Sequence, residues 1–202
     1  MAQPGENVAL PEPSVTGSTS LEQLIAQRRS IRDYQTTALE LAEIGQLLWA
    51  AQGITHLQGL RAAPSAGALY PLELYVATGR IEGLAQGVYH YDPRHHQLMK
   101  TSDGDRRDAL TQAALSQGWI RPASTIIVFT ADYERTTRKY GKRGKRYVHI
   151  EAGHTAQNLF LQSESLGLAT VVVGAFNDDE VARVLRLPAD IRPLLLMPVG
   201  RK

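Results

Sequence analysis

Thr125-Ile126-Ile127-Val128-Phe129-Thr130 is the stretch on which the fold turns. Four consecutive apolar residues, β-branched or aromatic, stand between two threonines with no polar alternation. That pattern predicts a short strand covered on both faces, and so one near the middle of a sheet. Working outward, residues 72–77 alternate apolar Leu72, Leu74 and Val76 with Glu73 and Tyr75, and read as a second strand. Residues 87–91 and 97–101 form a hairpin about Asp92-Pro93. Residues 169–173 and 194–199 give two further strands. Between them lie predicted helices. One covers residues 21–25, capped within 18–20 and ending near 28–30. A second runs over 39–52, where Leu41, Ile44, Leu47, Leu48 and Ala51 recur at helical spacing and Gly53 ends it. Others cover 105–117, 147–165 up to Gly167, and 178–187, started by Asn177 or Asp178. The class is α+β: a central mixed or antiparallel sheet flanked by helices.

The chain has 202 residues, 43% apolar and 21% charged, enough for one packed domain over residues 20–202. Residues 1–19 contain no Lys or Arg and no long apolar run. They read as a flexible or surface-hugging lead-in, not a secretory signal. The absence of cysteine excludes disulfides, thiolate metal sites and cysteine nucleophiles, and suits a reducing, cytoplasmic setting. A net charge of +2 names no partner. No run approaches the roughly 18 apolar residues of a membrane span. No Gly-x-Gly-x-x-Gly follows a strand, and the glycines of 141–145 are not spaced as a phosphate loop. The six histidines show no metal-ligand spacing, so no metal is expected.

Three clusters carry polar chemistry. Arg28-Arg29-Ser30-Ile31-Arg32 follows the first helix. If the chain is extended there, two guanidinium forks and a hydroxyl share one side and suit a phosphate. Pro64-Ser65-Ala66-Gly67-Ala68-Leu69-Tyr70-Pro71 is small-residue backbone that lets a flat ligand approach closely. Val173-Gly174-Ala175-Phe176 joins a buried strand to a capped helix and offers a bare amide at Gly174. Taken singly, these read as ordinary structure: a solvated helix end, a tight loop, a strand-to-helix turn. A fourth stretch, 135–146, is densely basic. As bare chemistry it is a solvated loop or a nucleic-acid patch, and the latter lacks interleaved aromatics and a recognition fold.

Taken in order, these pieces resemble the nitroreductase superfamily, and within it the SagB-type dehydrogenase branch. The resemblance also rests on Leu47-Leu48-Trp49-Ala50-Ala51-Gln52-Gly53-Ile54, on Gly87-Val88-Tyr89-His90-Tyr91-Asp92-Pro93, and on Glu151-Ala152-Gly153-His154 with Ala156-Gln157-Asn158-Leu159. It covers nearly everything after residue 20. It implies an intertwined homodimer with FMN in a site split between two chains. Arg28, Arg29 and Ser30 would hold the phosphate and ribityl chain, and Arg32 would sit by the pyrimidine edge, where a cation stabilises negative charge. Pro64, Ser65, Ala66, Gly67 and Ala68 would contact the flavin of the other subunit. Gly174 would offer its amide to flavin N5 between Val173 and Ala175, and the 147–165 helix would be a main dimer helix. Many relatives carry further basic phosphate ligands in a C-terminal tail; here Arg201 and Lys202 stand at that end. Lys139-Tyr140 matches a Lys-Tyr pair that looks catalytic in azoline dehydrogenases.

The function this implies is an FMN-dependent oxidoreductase passing hydride between NAD(P)H or an organic donor and a flat acceptor such as a nitroaromatic or quinone. One alternative is an azoline dehydrogenase oxidising thiazoline or oxazoline rings in a modified peptide. The other is a flavin-binding module without catalysis. Neither nucleic acid nor membrane is an expected partner.

Overall fold

A computed structural model describes residues 7–202. The elements, in chain order, are β1 (Asn7–Ala9), α1 (Leu21–Gln27), α2 (Leu41–Gln52), β2 (Leu72–Thr78), β3 (Gly87–Asp92), β4 (Gln97–Asp103), α3 (Arg107–Ala113), β5 (Thr125–Asp132), α4 (Tyr133–Tyr140), α5 (Gly144–Ser165), β6 (Leu168–Thr170), α6 (Asp178–Leu185) and β7 (Ile191–Arg201). The strands form one sheet in the order β1-β4-β3-β2-β5-β7-β6, and every neighbouring pair is antiparallel.

β5 lies between β2 and β7, as its unbroken apolar run predicts. Ile127 and Phe129 face a layer built from α2 and α5, packing with Leu47, Leu48, Leu159 and Phe160. Ile126 and Val128 face the other layer, with Leu110 and Ala113 of α3 and Val181 and Leu185 of α6. Removing each such side chain from water stabilises the fold by about 1.5–3 kcal/mol, which is why a strand with no polar alternation belongs here. Among the described residues, no helix is long and apolar enough to cross a membrane.

Residues 1–6 of the expected lead-in lie outside the described residues. Asn7–Ala9 pairs with β4 and extends the sheet edge, and the chain beyond it is held where Leu10 donates its N–H to the His96 carbonyl (3.0 Å). α1 begins with a capping box: Ser20 Oγ accepts from the Gln23 N–H and the Gln23 side chain accepts from the Ser20 N–H, both at 3.2 Å. Asn177 caps α6 by accepting from the Glu180 N–H (3.0 Å).

Four expectations are corrected. The basic stretch 135–146 is helical: Asp132 caps α4, and after one turn of 3-10 helix α5 begins at Gly144, not at Tyr147. The expected 105–117 helix is confined to Arg107–Ala113. The strand expected over 169–173 ends at Thr170, and only Val173 rejoins the sheet, by exchanging hydrogen bonds with Leu196 (2.8 and 3.0 Å). The last strand spans eleven residues, its register shifting where it passes Phe129 and Thr130.

Gly144 sets how closely α4 and α5 approach. A Cβ there would lie 2.8 Å from Thr137 Cα and 2.9 Å from its backbone nitrogen. Backbone cannot swing aside as a side-chain tip can. Gly144→Ala is therefore expected to destabilise the protein by about 1–3 kcal/mol, read as a lower urea midpoint at unchanged slope.

Candidate active site

The 28–32 segment owes its shape to the end of α1. Arg28 donates its N–H to the Leu24 carbonyl (2.9 Å) and then turns extended, with φ −50° and ψ 126°. Three residues on, the Ile31 N–H bonds the Thr170 carbonyl (3.0 Å), laying the segment along β6. Half-buried Arg28 stacks over the Phe160 ring at 4.8 Å and exposed Arg32 over the Trp119 ring at 5.4 Å. No carboxylate among the described residues pairs with either. Ser30 is exposed between them. Arg29 turns back, donating to the Ala26 and Arg28 carbonyls (2.9 and 2.8 Å), and so satisfies the end of its own helix.

The 173–176 turn lies at the same end of the molecule. Gln117, two residues before Trp119, donates to the Ala175 carbonyl (3.0 Å), while Phe176 packs on the core beneath. Gly174 and Ala175 are exposed, and a Cβ built on Gly174 meets nothing within 4 Å. Two cations without carboxylate partners, a hydroxyl and a bare amide thus come together from two clusters that the sequence keeps about 140 residues apart.

The 64–68 loop lies elsewhere. It runs through left-handed backbone at Gly67 (φ 65°), Ala68 (φ 54°) and Tyr70 (φ 47°). Only the first of these is a glycine, and the other two cost about 1 kcal/mol or more each. Lys139 and Tyr140, at the end of α4, close over it: a Cβ on Gly67 would lie 2.7 Å from Tyr140 Oη and 2.9 Å from Lys139 Nζ. The structure joins two motifs that the sequence shows only as separate pieces.

Beneath the loop is a polar network whose members Gln52, Tyr70 and Glu151 belong to the quoted motifs but to which the sequence assigns no role. Arg61 donates to Gln52 Oε1 (2.7 Å), stacks on Tyr70 at 4.7 Å, and gives its backbone N–H to Tyr70 Oη (3.1 Å). Gln52 donates in turn to Thr155 of α5 (2.9 Å). Glu151, on the same helix, is 2% exposed, and its Oε1 has no hydrogen-bond partner. Burial pushes its carboxyl up to about 7, against the smaller opposing effects of a Ser65 hydrogen bond and the Arg61 charge. The signal that could have found it is a carboxylate set on the helical stripe of Val148, Ala152, Thr155 and Leu159.

Arg201 does not join the candidate ligands as a free cation. Its fork grips both oxygens of Glu43 (2.6 and 3.0 Å), and neighbouring Lys202 pairs with Glu164 (2.6 Å). Arg135 is likewise committed, to Glu73 and Asp132, and Arg138 to Glu134.

The two groups of candidates meet α5 at separate points. Ser65 meets Glu151, whereas Arg28 stacks on Phe160, nine residues and about 13 Å further along. His149, Ile150, Gly153, His154 and Gln157 of that helix are exposed between them. A groove of about 850 Å³ opens between residues 12–19, α1, α2 and α5, and none of the candidate residues lines it.

The profile of the nitroreductase family matches residues 25–201. A protein of Methanocaldococcus jannaschii, provisionally named a nitroreductase, is 48% identical over 182 residues, covering 90% of this chain and 91% of its own. A crystal structure from Ralstonia eutropha, provisionally described in the same way, superposes with a TM-score of 0.85 at 30% identity, over 100% of this chain and 94% of the other. The microcin B17-processing protein of Escherichia coli is 28% identical over 148 residues, covering 69% of this chain but only 54% of that longer relative.

Proposed function

Because the chain belongs to the nitroreductase family, we propose that it is an FMN-dependent oxidoreductase whose two sites each draw on both subunits of a homodimer. One observation carries the reading: Arg28, Ser30, Arg32 and Gly174 gather on the side where Arg28 meets Phe160 of α5, and the 64–68 loop with Lys139 and Tyr140 gathers where Ser65 meets Glu151 of the same helix. Two copies packed antiparallel about a two-fold axis across the exposed side of α5 bring one group of each chain to the other group of its partner.

The residues fit the cofactor. A phosphate needs cations that no carboxylate already holds, and Arg28 and Arg32 meet that condition where Arg201 does not. A flat ring needs an approach free of side chains, which Gly174 leaves open. Bound FMN supplies reversible hydride chemistry. The chain supplies the rest. Arg28 and Ser30 bind the phosphate and ribityl chain. Arg32 holds a positive charge beside the pyrimidine edge. Gly174 donates its N–H to the ring edge between Val173 and Ala175. From the other subunit, Pro64, Ser65, Ala66, Gly67 and Ala68 cover the ring and exclude water. The donor is NAD(P)H or an organic hydride donor, and the acceptor is a flat molecule such as a nitroaromatic or quinone.

A second reading is favoured by the pair at Gly67. An amine and a phenol held together at a flavin-contact loop can remove a proton from a substrate carbon as its hydride leaves, the chemistry of an azoline dehydrogenase. Under that reading Lys139→Ala lowers turnover of the peptide substrate by about 10²–10⁴-fold and leaves reduction by NAD(P)H unchanged. Equal peptide turnover in the variant removes Lys139 from the mechanism.

The split site is tested by mixing two defective variants. Arg28→Ala damages one group and Gly67→Ala the other. After subunit exchange, a heterodimer of the two holds one intact site and one doubly damaged site, so activity returns. If each chain carries a whole site, mixing restores nothing.

A further inference from the structure

We infer that Glu151 is the positioning residue for the 64–68 loop, holding it through Ser65 so that Gly67 lies against Lys139 and Tyr140. The inference deepens the reading of that loop as part of the flavin site and rests on it for its functional meaning. Its geometry stands apart.

The loop contains backbone that does not hold itself. Gly67, Ala68 and Tyr70 are all left-handed, so the chain needs outside contacts to stay there. Ser65 provides the central one. Its Oγ accepts the Tyr70 N–H at 2.9 Å, closing the turn, and its single proton goes to Glu151. Tyr70 is fixed from two further sides, by the Arg61 N–H on its hydroxyl (3.1 Å) and by Arg135 on its carbonyl (3.1 Å). Glu151 stands on the middle of a 22-residue helix, and it is buried there with one oxygen unsatisfied. A carboxyl in that position is costly unless it fixes something. What it touches is the loop.

The charged and titratable groups around it are Arg61, whose guanidinium it feels directly, and beyond Arg61 the Glu73, Arg135 and Tyr70 side chains. Of these only Arg61 offsets a negative charge on Glu151 at first hand. Burial pushes the carboxyl up to about 7, while the Ser65 hydrogen bond and the Arg61 charge favour its ionised form, so Ser65 keeps its acceptor on both sides of neutrality.

Hydrogen exchange of the cofactor-free protein tests this without any turnover. Protection of the 65–70 amides, corrected for intrinsic exchange, is compared with that of β5 in wild type, Glu151→Gln, Glu151→Ala and Ser65→Ala at pH 6 and 8. At pH 6 the expected result is a loss of about tenfold or more in loop protection for Glu151→Ala and Ser65→Ala, the size of one hydrogen bond to a buried group, with β5 unchanged. Glu151→Gln keeps the acceptor and retains the protection. Wild-type loop protection relative to β5 is retained between pH 6 and 8, because Ser65 bonds the carboxyl in either form. Loop protection within about twofold of wild type in Ser65→Ala, or a loss in that variant that β5 shares equally, overturns the inference. Should Glu151→Ala not fold, Ser65→Ala and Glu151→Gln decide. FMN titration of the same proteins separates the two readings. A wild type that binds no FMN while Ser65→Ala still loosens the loop leaves Glu151 as positioning residue and removes the cofactor.

Discussion

Arg28→Ala is expected to weaken FMN binding by about 10–100-fold, the loss of one charge-assisted, forked hydrogen-bond pair to a phosphate. The effect is large because Arg28 has no competing carboxylate and is already oriented by the Phe160 ring at 4.8 Å. Little rotamer freedom is left to lose when the phosphate arrives. Arg28→Lys keeps the charge but loses the fork, so it should recover only part of the affinity, and that part should fall with added salt. Arg201→Ala is the informative control. Its guanidinium is bound to both oxygens of Glu43, so its removal should leave FMN affinity within about twofold while lowering stability. Fluorescence titration of flavin into each protein measures all three. Equal affinity in Arg28→Ala and wild type would move the phosphate to another set of residues.

Glu151→Gln is expected to stabilise the protein at pH 8 and to change it little at pH 5. The sign follows from the direction of the shift. The folded carboxyl titrates near 7 and the unfolded one near its ordinary 4.5, so between those values the folded state holds a proton that the unfolded state has released. The stability tied to that proton is complete below about pH 4.5, declines as pH rises through 7, and is gone above it. The loss amounts to about 2–3 kcal/mol for a carboxyl buried this deeply. Glutamine cannot ionise and escapes it. Urea unfolding at the two pH values shows the difference; a gap between the proteins that does not change with pH would mean that Glu151 titrates as an ordinary carboxyl.

Local patterns carried much of the fold. The run at 125–130 announced a doubly covered strand because burial on both faces leaves no room for polar alternation, and Ile126 to Phe129 are indeed fully buried. α4 was hidden because its eight residues include only one that is buried, Thr136; the helix is held by the Asp132 cap and by packing under α5, neither of which shows as an apolar stripe. The same polar start concealed the first turn of α5. β6 misled in the opposite sense. Val171, Val172 and Val173 continue the apolar run, but the chain leaves the sheet after Thr170 and exposes Val172.

For the site, residue types were legible and convergence was not. Arg28, Ser30, Arg32 and Gly174 could each be picked out by chemistry. What brings them together is a backbone bond from Ile31 to Thr170 and a stack of Arg32 on Trp119, contacts across long stretches of chain. Lys139 and Tyr140 reach Gly67 only because α4 folds back over β2's entry loop. The commitment of Arg201 was set by Glu43, which nothing near the C-terminus announces.

The central claim is that this chain holds FMN and uses it. The most direct test is the visible spectrum of the protein after incubation with FMN and gel filtration, followed by anaerobic NADPH or NADH and then an excess of a quinone. The account predicts retained flavin absorption that bleaches on reduction and returns over many cycles with the acceptor. A protein that emerges without flavin, at FMN concentrations where any site of this family should be full, would contradict it.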